Sequence, residues 1–255
     1  VLQMAQNFGA SFILESVTWR GSSDWAAPLG YSQKQLEQLN RKAIRMLHDL
    51  RTQYEVSKMP IVISGCIGPR GDAYDASNTL TANAAQHYHA EQIRILREEN
   101  TDLITAMTFT STGEAIGITR AAQAENIPIV ISFTLETDGR LPSGQSLADA
   151  IENVDRATGQ GPAYFMINCA HPSHFIETLR RNHGGFPRIR GIRANASCKS
   201  HAELDQATEL DRGNPYELGM FYLDLRQLLP QLTVIGGCCG TDHHHVEAMG
   251  KALLE

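Results

Sequence analysis

No part of this sequence is apolar for long enough to cross a bilayer; the longest such runs are strand-sized pieces such as Ile61–Ile63 and Ile127–Ile131. Positive charge is also scarce. Lys and Arg number 22 against 28 Asp and Glu, a formal net charge of −6. No basic surface therefore offers itself to a phosphate backbone, and neither nucleic acid nor a membrane is expected as a partner. Val1–Gly9 lacks the basic start and long apolar centre of a secretory signal. No glycine-rich dinucleotide fingerprint follows any β-rich run, which counts against an open doubly wound sheet. Cysteine is sparse, with five in 255 residues and two of them adjacent. That usage suits a reducing compartment and metal chemistry better than a disulfide framework. What these absences leave is a cytoplasmic enzyme, and a hydrophobic content of 42% is normal for a packed chain.

Short β-rich runs alternate with longer helical patterns along the whole chain. The runs are Ser11–Val17, Pro60–Cys66, Asp102–Met107, Ile127–Phe133, Ala163–Asn168, Ile189–Ala194 and Leu232–Gly237. Helical periodicity occupies Gln33–Gln53, Thr81–Glu98, Gly113–Ala124, Leu147–Ala157 and Tyr216–Leu229. Such alternation predicts a parallel sheet with helices outside it, and no linker or composition shift divides residues 1–255. The expected fold is α/β, a (β/α)8 TIM-type barrel forming a single domain. A closed barrel needs eight strands and only seven are visible. Val1–Phe8 reads as the tail of a helix, so the missing strand is expected to be the first. The gap would leave two unpaired strand edges, and association into a homo-oligomer is one way to cover them.

Chemistry concentrates in two segments, YFMINCAHP (Tyr164–Pro172) and VIGGCCGTD (Val234–Asp242). In each, an apolar strand runs directly into cysteine, and barrel enzymes place their chemistry at the C-terminal ends of strands. Successive residues on a strand face opposite sides, so Cys238 and Cys239 could not both point inward if the strand continued. Gly236, Gly237 and Gly240 permit a sharp exit instead. Thr241 or Asp242 can then cap a helix over His243–Leu254, whose N-terminal dipole favours thiolate. Three thiolates, from Cys169, Cys238 and Cys239, would leave a tetrahedral zinc with one open position. A site of that charge suits methyl transfer to a thiol better than activation of a carbonyl.

Other readings attach to the same residues. Adjacent cysteines can form a vicinal disulfide. Cys66 or Cys198, which also follow strands, could close a structural zinc site. His171–His174 and His243–His245 offer imidazoles that are more often solvated or capping groups. Zinc-assisted hydrolysis would need a general base, for which Glu15, Glu136 and His171 are candidates. A barrel that binds a thiol without turnover is a third reading.

At these residues the sequence resembles the homocysteine S-methyltransferase family, zinc enzymes on a (β/α)8 barrel. The family pattern of Asn-Cys after the sixth strand corresponds to Asn168-Cys169. Its Gly-Gly-Cys-Cys-Gly after the eighth corresponds to Gly236–Gly240. Ser64–Tyr74 and Ile131–Leu147 are similar to two further family segments. The resemblance implies zinc held by Cys169, Cys238 and Cys239, a small-molecule thiol acceptor such as homocysteine, and a small methyl donor. Three departures bear on the acceptor. The Asp-Gly-Gly of the family's first strand is absent, Met107 stands where the family has a glutamate for the substrate ammonium, and ILESVTWRGSSDW replaces an Asn/Thr-rich turn. Glu15 is the expected substitute for the ammonium, with Asn195 offering its amide to the substrate carboxylate. The alternative for Glu15 is an ion pair with an arginine such as Arg20.

Overall fold

The computed structural model describes residues 1–56, 59–74, 77, 79–182 and 185–255. In chain order its elements are α1 (Leu2–Asn7), β1 (Phe12–Glu15), α2 (Ser23–Ala26) with a 3-10 turn Ala27–Leu29, α3 (Gln33–Tyr54), β2 (Ile61–Ile67), α4 (Ala82–Glu98), β3 (Leu103–Phe109) and α5 (Thr112–Ala124). They continue as β4 (Ile129–Phe133), α6 (Leu147–Thr158), β5 (Tyr164–Asn168), α7 (Pro172–Arg181), β6 (Ile189–Ala194), α8 (His201–Asp205), α9 (Pro215–Leu228), β7 (Val234–Gly237) and α10 (His243–Leu254). The seven expected strands all form, each within two residues of its sequence bounds. They pair in parallel in sequential order, β1 to β7. This is a (β/α) barrel lacking one strand.

Local chemistry explains the helix boundaries. Ser32 and Gln35 make a capping box at the start of α3, Ser146 caps α6 through Asp149 N–H, and Gly159 ends it in the left-handed conformation at φ 62°. α7 was not apparent from periodicity. His171 caps it and Pro172 opens it, a start signal that depends on two residues rather than on a repeat.

The sheet has two unlike faces. Ile61, Ile63, Ile104, Ile129, Ile131, Phe133, Phe165, Ile167 and Ile192 belong to one large apolar cluster shared with the helices. The opposite, lumen-facing side carries only a small buried cluster of Cys66, Met107, Val130 and Met166. Polar groups lie beside it: Ser64 and Thr105 hydroxyls are 2.6 Å apart across β2 and β3. Burial of both faces is what a parallel sheet needs, but most of the apolar area removed from water lies outside, under the helices.

Among the described residues β1 and β7 have no strand partner on their outer sides. Between them opens a cavity of about 810 Å³ lined by Ile13, Glu15, Met166, Arg193, Val234 and Gly236, among others. Unpaired edges open to solvent more readily than ladders bonded on both sides. Amide hydrogen exchange should therefore be faster in β1 and β7 than in β3 and β4 by orders of magnitude. Equal protection would mean that a further segment or a second copy covers the gap.

Candidate metal centre

Cys169 follows β5 directly and adopts φ 53°, in the left-handed region that a residue with a side chain seldom enters. Its backbone explains how the conformation is held. The amide donates to Arg193 O at 3.1 Å. The carbonyl accepts from His201 Nε2 at 2.7 Å, Asn195 Nδ2 at 3.0 Å and Thr134 Oγ1 at 3.4 Å. Three side-chain donors on one carbonyl fix where the sulfur points.

The second cysteine segment leaves β7 by the expected sharp turn. Cys238 N–H still bonds along the ladder to Ala194 O at 2.7 Å, while Cys239 N–H turns to Asn195 Oδ1 at 3.1 Å. Gly237 and Gly240 are required here. A Cβ on Gly237 would collide with the Thr241 side chain, and Gly240 takes φ 77° against Asp211 O. Asp242 then caps α10, accepting from His244 N–H at 2.9 Å.

These exits bring the three sulfurs together, all within 4.8 Å of one another. Cys169 and Cys238 are joined as a disulfide with Cα atoms 5.5 Å apart, and Cys169 Sγ lies 3.8 Å from Cys239 Sγ. The vicinal bond between Cys238 and Cys239 is not formed. As free thiolates the same three positions suit one tetrahedral ion, and among the described residues no fourth Cys, His, Asp or Glu joins them. Cys66 lies instead in the lumen cluster, where burial pushes its thiol up to about 12. Cys198 is exposed on the surface. His171 accepts from Ser173 N–H as a helix cap, and His174 Nε2 donates to Cys198 O. His243 and His244 cluster with Asp242 on the exposed start of α10, apart from the sulfurs.

Two expected substrate residues have other partners. Asn195 is buried, and its amide donates to Cys169 O and accepts from Cys239 N–H, so it already joins the two cysteine segments. Glu15 does form an ion pair, but with Arg193 across the open side of the barrel. Arg20 stacks instead on the Trp25 ring, its guanidinium carbon 3.9 Å from the centroid. Met107 faces the lumen and offers no charge; its carbonyl accepts from Trp19 Nε1 at 3.1 Å.

Residues 5–253 match the homocysteine S-methyltransferase family. The chain belongs to that family. It is 24% identical over 243 residues to homocysteine S-methyltransferase 1 of Brassica oleracea var. italica, covering 88% of this chain and 73% of that protein. A selenocysteine Se-methyltransferase of the same plant is 24% identical over 270 residues, covering 95% and 75%. The fold is similar to the crystal structure of the homocysteine methyltransferase MmuM from Escherichia coli. The match has a TM-score of 0.78 to the oxidised form and 0.77 to the metallated form, at 18% identity, and covers 98% of this chain and 82% of that one. As a member of the family the chain is an S-methyltransferase.

Sequence reasoning missed three residues around the sulfurs. His201, 7% exposed, reaches the Cys169 carbonyl from α8, and its Nδ1 stands 3.2 Å from Glu136. Tyr74 stacks on the His201 ring at 4.0 Å. Burial and the neighbouring Cys239 push its phenol well above the usual range. Tyr222, wholly buried on α9, donates to Gly236 O at 2.6 Å and accepts from Ala194 N–H at 3.1 Å, tying β6 to β7. Tyr74 closes the Ser64–Tyr74 segment, where nothing marks its ring for this contact, and His201 and Tyr222 stand in no motif. Only the helix start Ser200-His201, in a capping box with Glu203, was readable locally. Outer partners of ligands typically contribute about 10–100-fold to metal affinity. His201→Ala should thus weaken zinc binding by about tenfold or more in the reduced protein, whereas Cys198→Ser should not. Competition with a chromophoric chelator measures both.

Proposed function

We propose that this chain transfers a methyl group to the sulfur of a small amino-acid thiol, homocysteine by family, with zinc held by Cys169, Cys238 and Cys239. The observation that carries the reading is the convergence of three sulfurs at the C-terminal end of the sheet with no fourth protein ligand among the described residues. The donor set fits: sulfur ligands suit zinc, and three of them leave the open position of a catalytic site. When bound there, zinc supplies the positive charge that keeps an acceptor thiol deprotonated near neutral pH, where a free thiol of pKa about 8.5 is mostly protonated.

The chain's own groups do the rest. Cys169, Cys238 and Cys239 carry enough negative charge that an acceptor sulfur beside them keeps its nucleophilicity. His201, Asn195 and Thr134 hold the Cys169 segment, and Asn195 holds the Cys239 segment, which keeps the residues that would hold the metal together at the strand ends. In the transfer the acceptor S–H proton leaves to solvent. Its sulfur attacks the methyl carbon, the S–C bond forms, and the bond from that methyl to the donor's heteroatom breaks. A sulfonium or quaternary ammonium donor leaves as a neutral thioether or amine, which makes such a donor the natural class.

With Met107 uncharged, Glu15 is the carboxylate lining the lumen cavity that would meet the acceptor's ammonium, through the oxygen not bonded to Arg193. Metal analysis of the reduced protein should give about one zinc per chain, the number that one three-thiolate site holds. Cys239→Ser should lower that stoichiometry and abolish methyl transfer to homocysteine from a sulfonium donor. Zinc retained at full stoichiometry after Cys239→Ser would place the metal elsewhere and overturn the reading. Glu15→Gln should weaken homocysteine binding by about 2–5 kcal/mol, the cost of leaving a buried charge unpaired.

A further inference from the structure

The assignment of Glu15 leaves the substrate's carboxylate with no charged partner, because the neutral amide of Asn195 spends its Oδ1 and one of its two Nδ2 hydrogens on the cysteine segments. A carboxylate drawn from water requires a cation or several N–H donors. Two cations line the lumen cavity, Arg193 and Arg226. Arg226 lies in the last turn of α9, at the end of the barrel away from the strand exits. Arg193 is on β6 two residues before Asn195, at the end that carries the cysteines.

Its contacts join it to both cysteine segments. The Arg193 carbonyl accepts from Cys169 N–H at 3.1 Å, and Nε donates to Gly237 O at 3.3 Å, one residue before Cys238. Gly236 leaves room for the side-chain stem: a Cβ there would come within 3.3 Å of Arg193 Cγ. Nη1 bonds Glu15 Oε2, while among the described residues Nη2 and Glu15 Oε1 make no hydrogen bond of their own. The pair thus retains unused N–H donors on Nη2 and an unused carboxylate oxygen beside a cavity of about 810 Å³.

We propose that Glu15 and Arg193 together form the α-amino-acid recognition site, with Arg193 taking the acceptor's carboxylate and Glu15 its ammonium. A zwitterion can meet such a pair without exposing either buried charge alone. This rests on the thiol-methyltransferase reading and adds the residue that selects amino-acid thiols over simple ones.

Three thiols separate the roles: homocysteine, 4-mercaptobutyrate (no amine) and 3-mercaptopropylamine (no carboxylate). Binding is read from the visible spectrum of the reduced protein loaded with cobalt(II) in place of zinc. In Arg193→Met, homocysteine and 4-mercaptobutyrate should bind about tenfold or more weaker, the loss of one charged hydrogen bond. The affinity for 3-mercaptopropylamine should be unchanged or tighter, since Glu15 loses its partner. Arg193→Lys should restore part of the carboxylate affinity, which a merely structural arginine would not show. Glu15→Gln should give the converse, weakening homocysteine and the amine but not 4-mercaptobutyrate. Equal weakening of all three thiols in Arg193→Met, with no recovery in Arg193→Lys, would overturn the proposal while leaving the methyltransferase reading intact. No spectral response to any thiol in the unsubstituted protein would overturn both.

Discussion

The geometry of the mouth depends on a single amide. The two cysteine segments leave strands β5 and β7, which are not neighbours; β6 runs between them. Asn195, just past the end of β6, bridges them by donating to Cys169 O and accepting from Cys239 N–H. Both bonds are to backbone, so they fix where the chain turns and leave the sulfurs free for chemistry. Buried from solvent, the amide has no competing water, and breaking either bond would leave an unsatisfied buried group at a cost of about 1–3 kcal/mol. The bond from Asn195 and the one from His201 both fall on the carbonyl of Cys169, whose backbone is left-handed.

The strands and the cysteine positions were legible in the sequence because each rests on local information. A run such as Ile127–Phe133 announces a buried strand by composition, and Gly236-Gly237 before two cysteines announces a turn that brings consecutive side chains to one place. The gap beside β1 followed from counting. What could not be read was pairing between distant groups. Glu15 and Arg193 are 178 positions apart, and nothing near either distinguishes Arg193 from Arg20 as partner. The backbone bonds of Asn195 are likewise hidden, since an amide at a strand end serves backbone and ligand equally well in one dimension. His201 and Tyr222 were invisible for a related reason: each acts on a backbone atom of another element, and backbone atoms carry no sequence signature.

Redox state and metal binding draw on the same proximity. Sulfurs brought close enough to share an ion are close enough to join, as Cys169 and Cys238 do here. A bond between them removes two of the three thiolates of the proposed zinc site. The two forms are alternatives built on one backbone, and the Asn195 bridge serves both.

The unequal faces of the sheet separate two kinds of constraint. Nearly all the apolar packing lies between the strands and the helices, while the lumen holds a thin cluster and a ring of polar groups. A side chain that points inward therefore answers to whatever occupies the lumen and hardly at all to the helix layer. Met107 shows this freedom: an uncharged residue stands where the family resemblance leads one to expect a carboxylate, and β3 keeps its place in the sheet. Such a scaffold can change what it recognises by single inward substitutions, so the diversity of acceptors open to the architecture is a matter of its lining and not of its frame.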